Sequence, residues 1–279
     1  MADLPRIATL WIGGRLTWLE QLCLVSFVDA GHEVTLYSYQ DIPNVPRGVK
    51  TASAEEYFPS KPMYTHKKNG SPAIHADLWR INLLAKSDEV WVDADMYCYK
   101  PFDFKSQHVF GWEKPNLICN AVLGLPNDSD ALGQMLEFFK DEYAIAPWLK
   151  PWQQEELQQS ADAGNPVHMC EQAWGFTGPA CVTYFLQKTG EAKFAQSQPT
   201  FYPISFKERN HMIRTYKKPE EQFTDDTTGV HFWARRMKPR LEEKENNRPR
   251  RASFMAKLLE KHDINPDDAL IPPKKPIAA

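Results

Sequence analysis

Asp93 and Asp95 flank Ala94 in the segment VWVDADMY. In an extended segment alternate residues face the same side. Two carboxylates on one side repel each other unless a cation lies near them, and a hard divalent ion takes such oxygen ligands while clamping substrate phosphates. The bland alternative is an Asp-rich strand-to-loop turn. Asp77 and Arg80 stand three apart in a helical pattern and so share a face. They form either a surface ion pair of little worth or a pair in which Arg80 touches phosphate or sugar and Asp77 accepts from sugar hydroxyls. His231, between Val230 and Phe232, reads as a hydrogen-bonded core histidine or as a ligand for a borderline metal such as manganese. Gly175 and Gly178 in WGFTGP mark a tight bend. That bend is a plain turn or a loop that lets a sugar or phosphate approach the main chain. Trp11 is a core residue or a platform for a nucleobase.

These residues need a scaffold. Residues 7–12 are a short apolar run closed by Gly13-Gly14, and read as a buried strand. Leu19, Leu22, Val25, Phe27 and Val28 recur at helical spacing, with Gly31 as a stop. Residues 33–39 are rich in β-branched and aromatic residues, as a second strand would be. This β-α-β opening indicates a parallel sheet with a crossover helix. Residues 41–72, rich in Pro, Lys and Gly, read as a loop with short elements. Leu78, Ile81, Leu84 and Ala85 give residues 76–86 a helical period, and residues 89–92 lead as a buried strand into Asp93. The triplet therefore falls at a strand's carboxyl end, where ligands bind in open α/β sheets. Further strands are expected at 108–112 and 117–125, with short β segments at 200–204 and 229–233. Helices are expected at 130–142, from Cys181 to 188, and at 254–261. Residues 147–166 are polar and helix-breaking at both ends. The expected organisation is one α/β catalytic domain over 1–240 and a polar, Pro-rich tail with a short helix over 241–279.

The chain has 279 residues, enough for one large α/β domain or two small ones. A formal net charge of −3 gives no electrostatic case for nucleic acid. Residues 235–251, RRMKPRLEEKENNRPRR, are locally basic. They read as a solvated stretch or as one drawn to an anionic membrane surface or acceptor. The five cysteines are scattered and include no CxxC, as expected of reduced thiols rather than a disulfide frame or zinc site. No basic segment followed by a signal-length apolar run opens the chain, and no apolar stretch is long enough to span a bilayer. The expectation is cytoplasmic action, with peripheral contact at the inner membrane face through the basic stretch.

The run HADLWRINLLAKSDEVWVDADMYCYKPF resembles the core of the family 32 glycosyltransferases. That family and its relatives include yeast initiating mannosyltransferases, α1,4-galactosyltransferases and bacterial polysaccharide enzymes. In the family a Ser/Ala-Asp-x-x-Arg helix leads into a strand and a D-x-D followed closely by Lys-Pro. NAVLGLPNDSD, WGFTGPACVTYFL, FYPISF and GVHFW resemble further family segments in the same order, over roughly residues 5–240. Lys86-Ser87-Asp88-Glu89-Val90 departs from the Gly-Gly pair usual before the D-x-D strand, and the segment after Trp11 is divergent.

The resemblance implies a GT-A fold, a Rossmann-like mixed sheet flanked by helices. It also implies a nucleotide-sugar donor, retention at the anomeric carbon and Mn2+ or Mg2+ as cofactor. Carried over to this chain, Asp95 would bind the metal directly, Asp93 would meet the ribose or the metal's water shell, and His231 would be the third protein ligand. Arg80 would approach the donor sugar or phosphate, Asp77 the sugar hydroxyls, and Asn120 the reacting centre. The expected donor is a UDP-sugar in preference to a GDP-sugar, and the acceptor a saccharide, polysaccharide or lipid-linked sugar. Two other classes compete. A non-catalytic sugar-binding homologue would keep the aromatics without needing metal ligands. A haloacid-type phosphatase also sets D-x-D after a strand, but wants Thr or Val where Tyr97 stands.

Overall fold

In the chain's opening, Ile7–Trp11 forms β1 and Val34–Ser38 forms β2. They pair in parallel, with Ile7 opposite Val34 and Trp11 opposite Ser38. A parallel pair needs a long crossover, and helix α1, Trp18–Asp29, supplies it. Its start is closed by a capping box: the Thr17 N–H and hydroxyl both donate to Glu20 Oε2, at 3.0 and 2.5 Å. Past its end Gly31 sits at φ +94°, the left-handed position expected of a helix stop.

Strand β3 (Val49–Ser53) lies inside the stretch read as loop. Helix α2 (Ala73–Lys86) and β4 (Val90–Val92) follow as expected. A further strand, β5 (Met96–Cys98), begins directly after the aspartate triplet. Strands β6 (Val109–Lys114) and β7 (Leu117–Gly124) pair antiparallel. The later elements are α3 (Asp130–Phe138), α4 (Pro151–Asp162), α5 (Pro179–Lys188), α6 (Gln198–Phe201), β8 (Gly229–His231), α7 (Ala234–Lys244) and α8 (Phe254–Lys261). The strand order is β3-β2-β1-β4-β7-β6 in a mixed sheet, with β5 and β8 in a two-stranded sheet. The fold is thus mixed α/β, with helices flanking the sheet. This computed structural model describes residues 4–273. The first three positions of the expected domain and the last six of the expected tail lie outside the described residues.

One local expectation needs correction. The segment 200–204 is not a strand: its first two residues end a single helical turn, Gln198–Phe201. Pro199 falls in its first turn, where a fixed φ favours helix. Thr200, Phe201, Tyr202 and Ile204 are all buried, so their aromatic and β-branched character serves the core. Residues 151–162, within the polar segment, form a regular helix that starts with Pro151.

Contacts divide the chain into two compact units. The first holds residues 1–52, 92–103 and 197–279, and the second 53–91 and 104–196. In the first unit, Trp18, Leu19 and Leu22 of α1 share a core with Tyr97, Val230 and Phe232. Met237 and Leu241 of α7 and Phe254, Met255, Leu258 and Leu259 of α8 belong to the same core. In the second unit α5 packs on β7, α3 on α5 and α2 on α3. Ile118 of β7 donates its N–H to Thr183 Oγ1 of α5 at 2.9 Å. No helix among the described residues is long and apolar enough to cross a membrane.

The place of α8 in the first core is testable. Phe254→Ala should lower unfolding stability by about 3–5 kcal/mol, the usual cost of truncating a buried phenylalanine. Urea denaturation measures this, and a loss below about 0.5 kcal/mol, typical of surface sites, would place α8 outside the core.

Candidate functional site

The site in the first unit is made by one strand pairing. Strands β5 and β8 run antiparallel with Met96 opposite His231. The residue just before Met96 is Asp95, so this register carries His231 to it across 136 positions. His231 Nε2 lies 3.2 Å from Asp95 Oδ1. The other carboxylate oxygen, Oδ2, accepts from the N–H of Ala234 at 2.7 Å. Ala234 is the first residue of α7, whose start is favourable for a negative charge. Trp233 makes the turn into that helix in the left-handed region, at φ 57°. Its ring lies 4.0 Å from that of His231, centroid to centroid.

Ligand atoms of Asp93, Asp95 and His231 all lie within 4.8 Å of one another. Two carboxylates and one imidazole form an O,O,N donor set that suits a hard to borderline divalent cation. Burial by itself pushes the Asp95 carboxyl up. His231, the Ala234 N–H and Lys238 outweigh it, and the net direction is below the ordinary carboxylate value. Asp95 is therefore held ionised, as a metal ligand must be. Lys238 also pairs with the buried Glu20 of the capping box. Its ammonium lies 5.3 Å from the centre of the Trp11 ring. The Trp11 indole N–H is taken up by the Gly14 carbonyl at 2.9 Å.

A second constellation lies in the second unit and centres on Asp77. Its Oδ1 accepts from Arg80 Nη1 and from Asn120 Nδ2, each at 3.0 Å, and its Oδ2 from the Thr177 hydroxyl at 2.7 Å. The Asp77 and Arg80 side chains are only 13% and 6% exposed, so this is no surface ion pair. The Arg80 guanidinium lies 4.4 Å above the Trp91 ring. Gly178 sits against the carboxylate: a β-carbon there would stand 3.4 Å from Asp77 Oδ2 and 3.5 Å from Asn120 Nδ2. Burial pushes the Asp77 carboxyl up, and Arg80, Thr177 and Asn120 draw it back only in part.

The structure thus brings Asp93, Asp95 and His231 together in one unit, and Asp77, Arg80, Asn120 and Gly178 in the other. Thr177, Lys238 and the Ala234 N–H escaped the sequence reading. Thr177 stood in the singled-out WGFTGP segment, but only the glycines drew notice there. Lys238 lies one turn into a helix that reads as a basic stretch, and a backbone N–H carries no sequence signal at all.

No family model matches the sequence, and no curated protein matches it. Among solved structures the chain is similar to the PaToxG glycosyltransferase. The identity is 13% and the TM-score 0.42, over 68% of this chain and 74% of that one.

Two measurements test the Asp77 helix. Asp77→Ala strips the carboxylate from a buried guanidinium and should cost about 3–5 kcal/mol in urea denaturation. A loss below about 1 kcal/mol, the range of exposed pairs, would contradict the buried geometry. His75, on the same helix, is pushed down to about 4 by burial. Its Nδ1 accepts from the Tyr64 N–H at 3.3 Å. The folded state therefore binds fewer protons at this site than the unfolded chain between its ordinary value and about 4. Stability falls as pH is lowered through that window. NMR titration of the ring should give an apparent pKa near 4, and an ordinary histidine value would show the ring solvated.

Proposed function

We propose that this chain is a metal-dependent glycosyltransferase of the GT-A kind. It moves a hexose from a nucleotide sugar, a UDP-sugar in preference to a GDP-sugar, to a saccharide, polysaccharide or lipid-linked acceptor. The observation that carries this reading is the convergence of Asp93, Asp95 and His231 just past the end of β4 on an α/β scaffold.

Asp95 and His231 are the direct ligands in this proposal, and Asp93 serves the donor ribose or the metal's water shell. Mn2+ or Mg2+, when bound, supplies positive charge against the donor diphosphate as the glycosidic bond breaks. The Ala234 N–H fixes the Asp95 carboxylate so that one oxygen stays turned toward His231. Asp77 accepts from hydroxyls of the donor sugar, Arg80 bears on sugar or phosphate, and Asn120 lies by the reacting centre. Trp11 offers its face to the nucleobase, and Gly178 leaves room for the sugar. The acceptor hydroxyl attacks from the face the nucleotide leaves, giving retention, and its proton passes to an oxygen of the departing phosphate. The enzyme acts in the cytoplasm and touches the inner membrane face through its basic stretch.

The test is nucleotide release. Incubated with a panel of UDP- and GDP-sugars and Mn2+, the protein should release nucleotide, and EDTA should stop the release. Asp95→Ala should lower the rate by about 10²–10³-fold, the scale of losing one key electrostatic group. Wild-type-like release from that variant would sink the metal assignment. A sugar–protein adduct trapped by mass spectrometry would overturn same-face attack.

A further inference from the structure

Within the second unit a groove of about 370 Å³ opens beside α4 and the 167–174 segment. This volume falls in the range of small-ligand pockets, roughly 300–1,000 Å³. Two large aromatics line it, Trp152 at 54% and Trp174 at 47% exposure. Trp152 stands in the first turn of α4, a helix with no buried residue, so the ring is not there to fill a core. Half-exposed tryptophans on one groove mark a binding surface.

The polar lining says what kind of ligand the groove fits. His66 and Gln172 both line it, and each is only 4% exposed. The Gln172 amide donates to the carbonyls of Ala144 at 3.0 Å and Val167 at 3.1 Å, which fixes its orientation. Its Oε1 has no partner among the described residues. His66 Nε2 faces the Gln172 carbonyl at 3.3 Å, so this nitrogen donates. Nδ1 likewise has no partner among the described residues. A buried acceptor left unmatched is costly, and Gln172 Oε1 needs a hydrogen donor. The carboxylates of Glu156 and Glu171 add further acceptors, Glu171 already paired with Lys67 at 2.8 Å, and Lys68 adds an ammonium to the lining. Glu156 lies one helical turn from Trp152, on the same side of α4. An acceptor-rich wall beside two indole faces suits a ligand with apolar C–H faces and many O–H donors. With Lys68 set beside the carboxylates of Glu156 and Glu171, the lining carries no excess of positive charge to hold an anion.

We propose that this groove is a binding subsite for a neutral saccharide. Trp152 and Trp174 stack on its sugar rings, while Glu156 and Gln172 Oε1 accept from its hydroxyls. Resting on the transferase reading above, that saccharide is the acceptor.

The probes are maltotetraose, cellotetraose and an α-mannotetraose, added at millimolar concentration to the full chain. The readout is the pair of indole N–H signals of Trp152 and Trp174 in NMR, assigned with Trp→Phe variants. At least one tetrasaccharide should shift both signals. Trp152→Ala, at an exposed position, and Gln172→Leu should each weaken that binding at least tenfold, about 1.4 kcal/mol. The proposal is overturned if no tetrasaccharide shifts either signal, if Trp152→Ala binds as well as wild type, or if 1-hexanol shifts the signals and the sugars do not. The Asp95→Ala chain should bind the same sugar, because every residue of the groove belongs to the second unit. Sugar binding without nucleotide release from the wild type would sink the transferase reading alone. Release without sugar binding would sink the groove alone.

Discussion

A carboxylate drawn largely out of water is tolerated only where the protein supplies compensating charge and hydrogen bonds, and in the first unit one strand pairing meets that demand for Asp95. The antiparallel register of β5 and β8 sets His231 beside it. The same turn out of β8 aims the first N–H of α7 at the other carboxylate oxygen. Trp233 makes that turn in the left-handed region, which costs a bulky residue about 1–3 kcal/mol. The surroundings hold it there: its ring packs against His231 and Phe206. If the register slipped by one residue, every side chain of β8 would change faces, and the imidazole would leave the carboxylates.

The two partly buried aspartates show how partners decide what burial does. Asp95 has an imidazole, a helix start and Lys238 around it, and its carboxyl is drawn down. Asp77 has one guanidinium and two neutral donors, and burial prevails there and pushes it up. The first arrangement keeps a charge ready for a cation. The second makes a rigid hub, because Arg80 on α2, Asn120 on β7 and Thr177 before α5 all end on one carboxylate. Loss of that hub would loosen three elements at once.

The core of the first unit extends this logic along the chain. Lys238 of α7 reaches Glu20, the residue that caps α1, so the helix carrying the Asp95 contact is tied to the opening crossover. Helix α8 adds apolar weight to the same core. His262, just past its end, bridges Tyr97 and Asp29, at 2.8 and 2.7 Å. A stretch that looks polar and Pro-rich in sequence thus supplies part of the packing on which β5 rests.

What the sequence determined by itself was local. The crossover of α1 between two strands, the period of α2, the bounds of α8 and the position of Asp93 and Asp95 past β4 all follow from near neighbours, and were legible. Strand β5 was missed because three residues carry too little pattern. Residues 200–204 read as a strand because aromatic residues chosen for burial look like those chosen for a strand. Only the tertiary structure decided that His231 stands at Asp95, that Thr177 caps Asp77, and that Arg80 is buried with Asp77 partly buried beside it. Spacing shows that two residues share a helix face, but exposure depends on what packs over that face. Contacts across more than a hundred positions depend on register and packing, which no local pattern encodes.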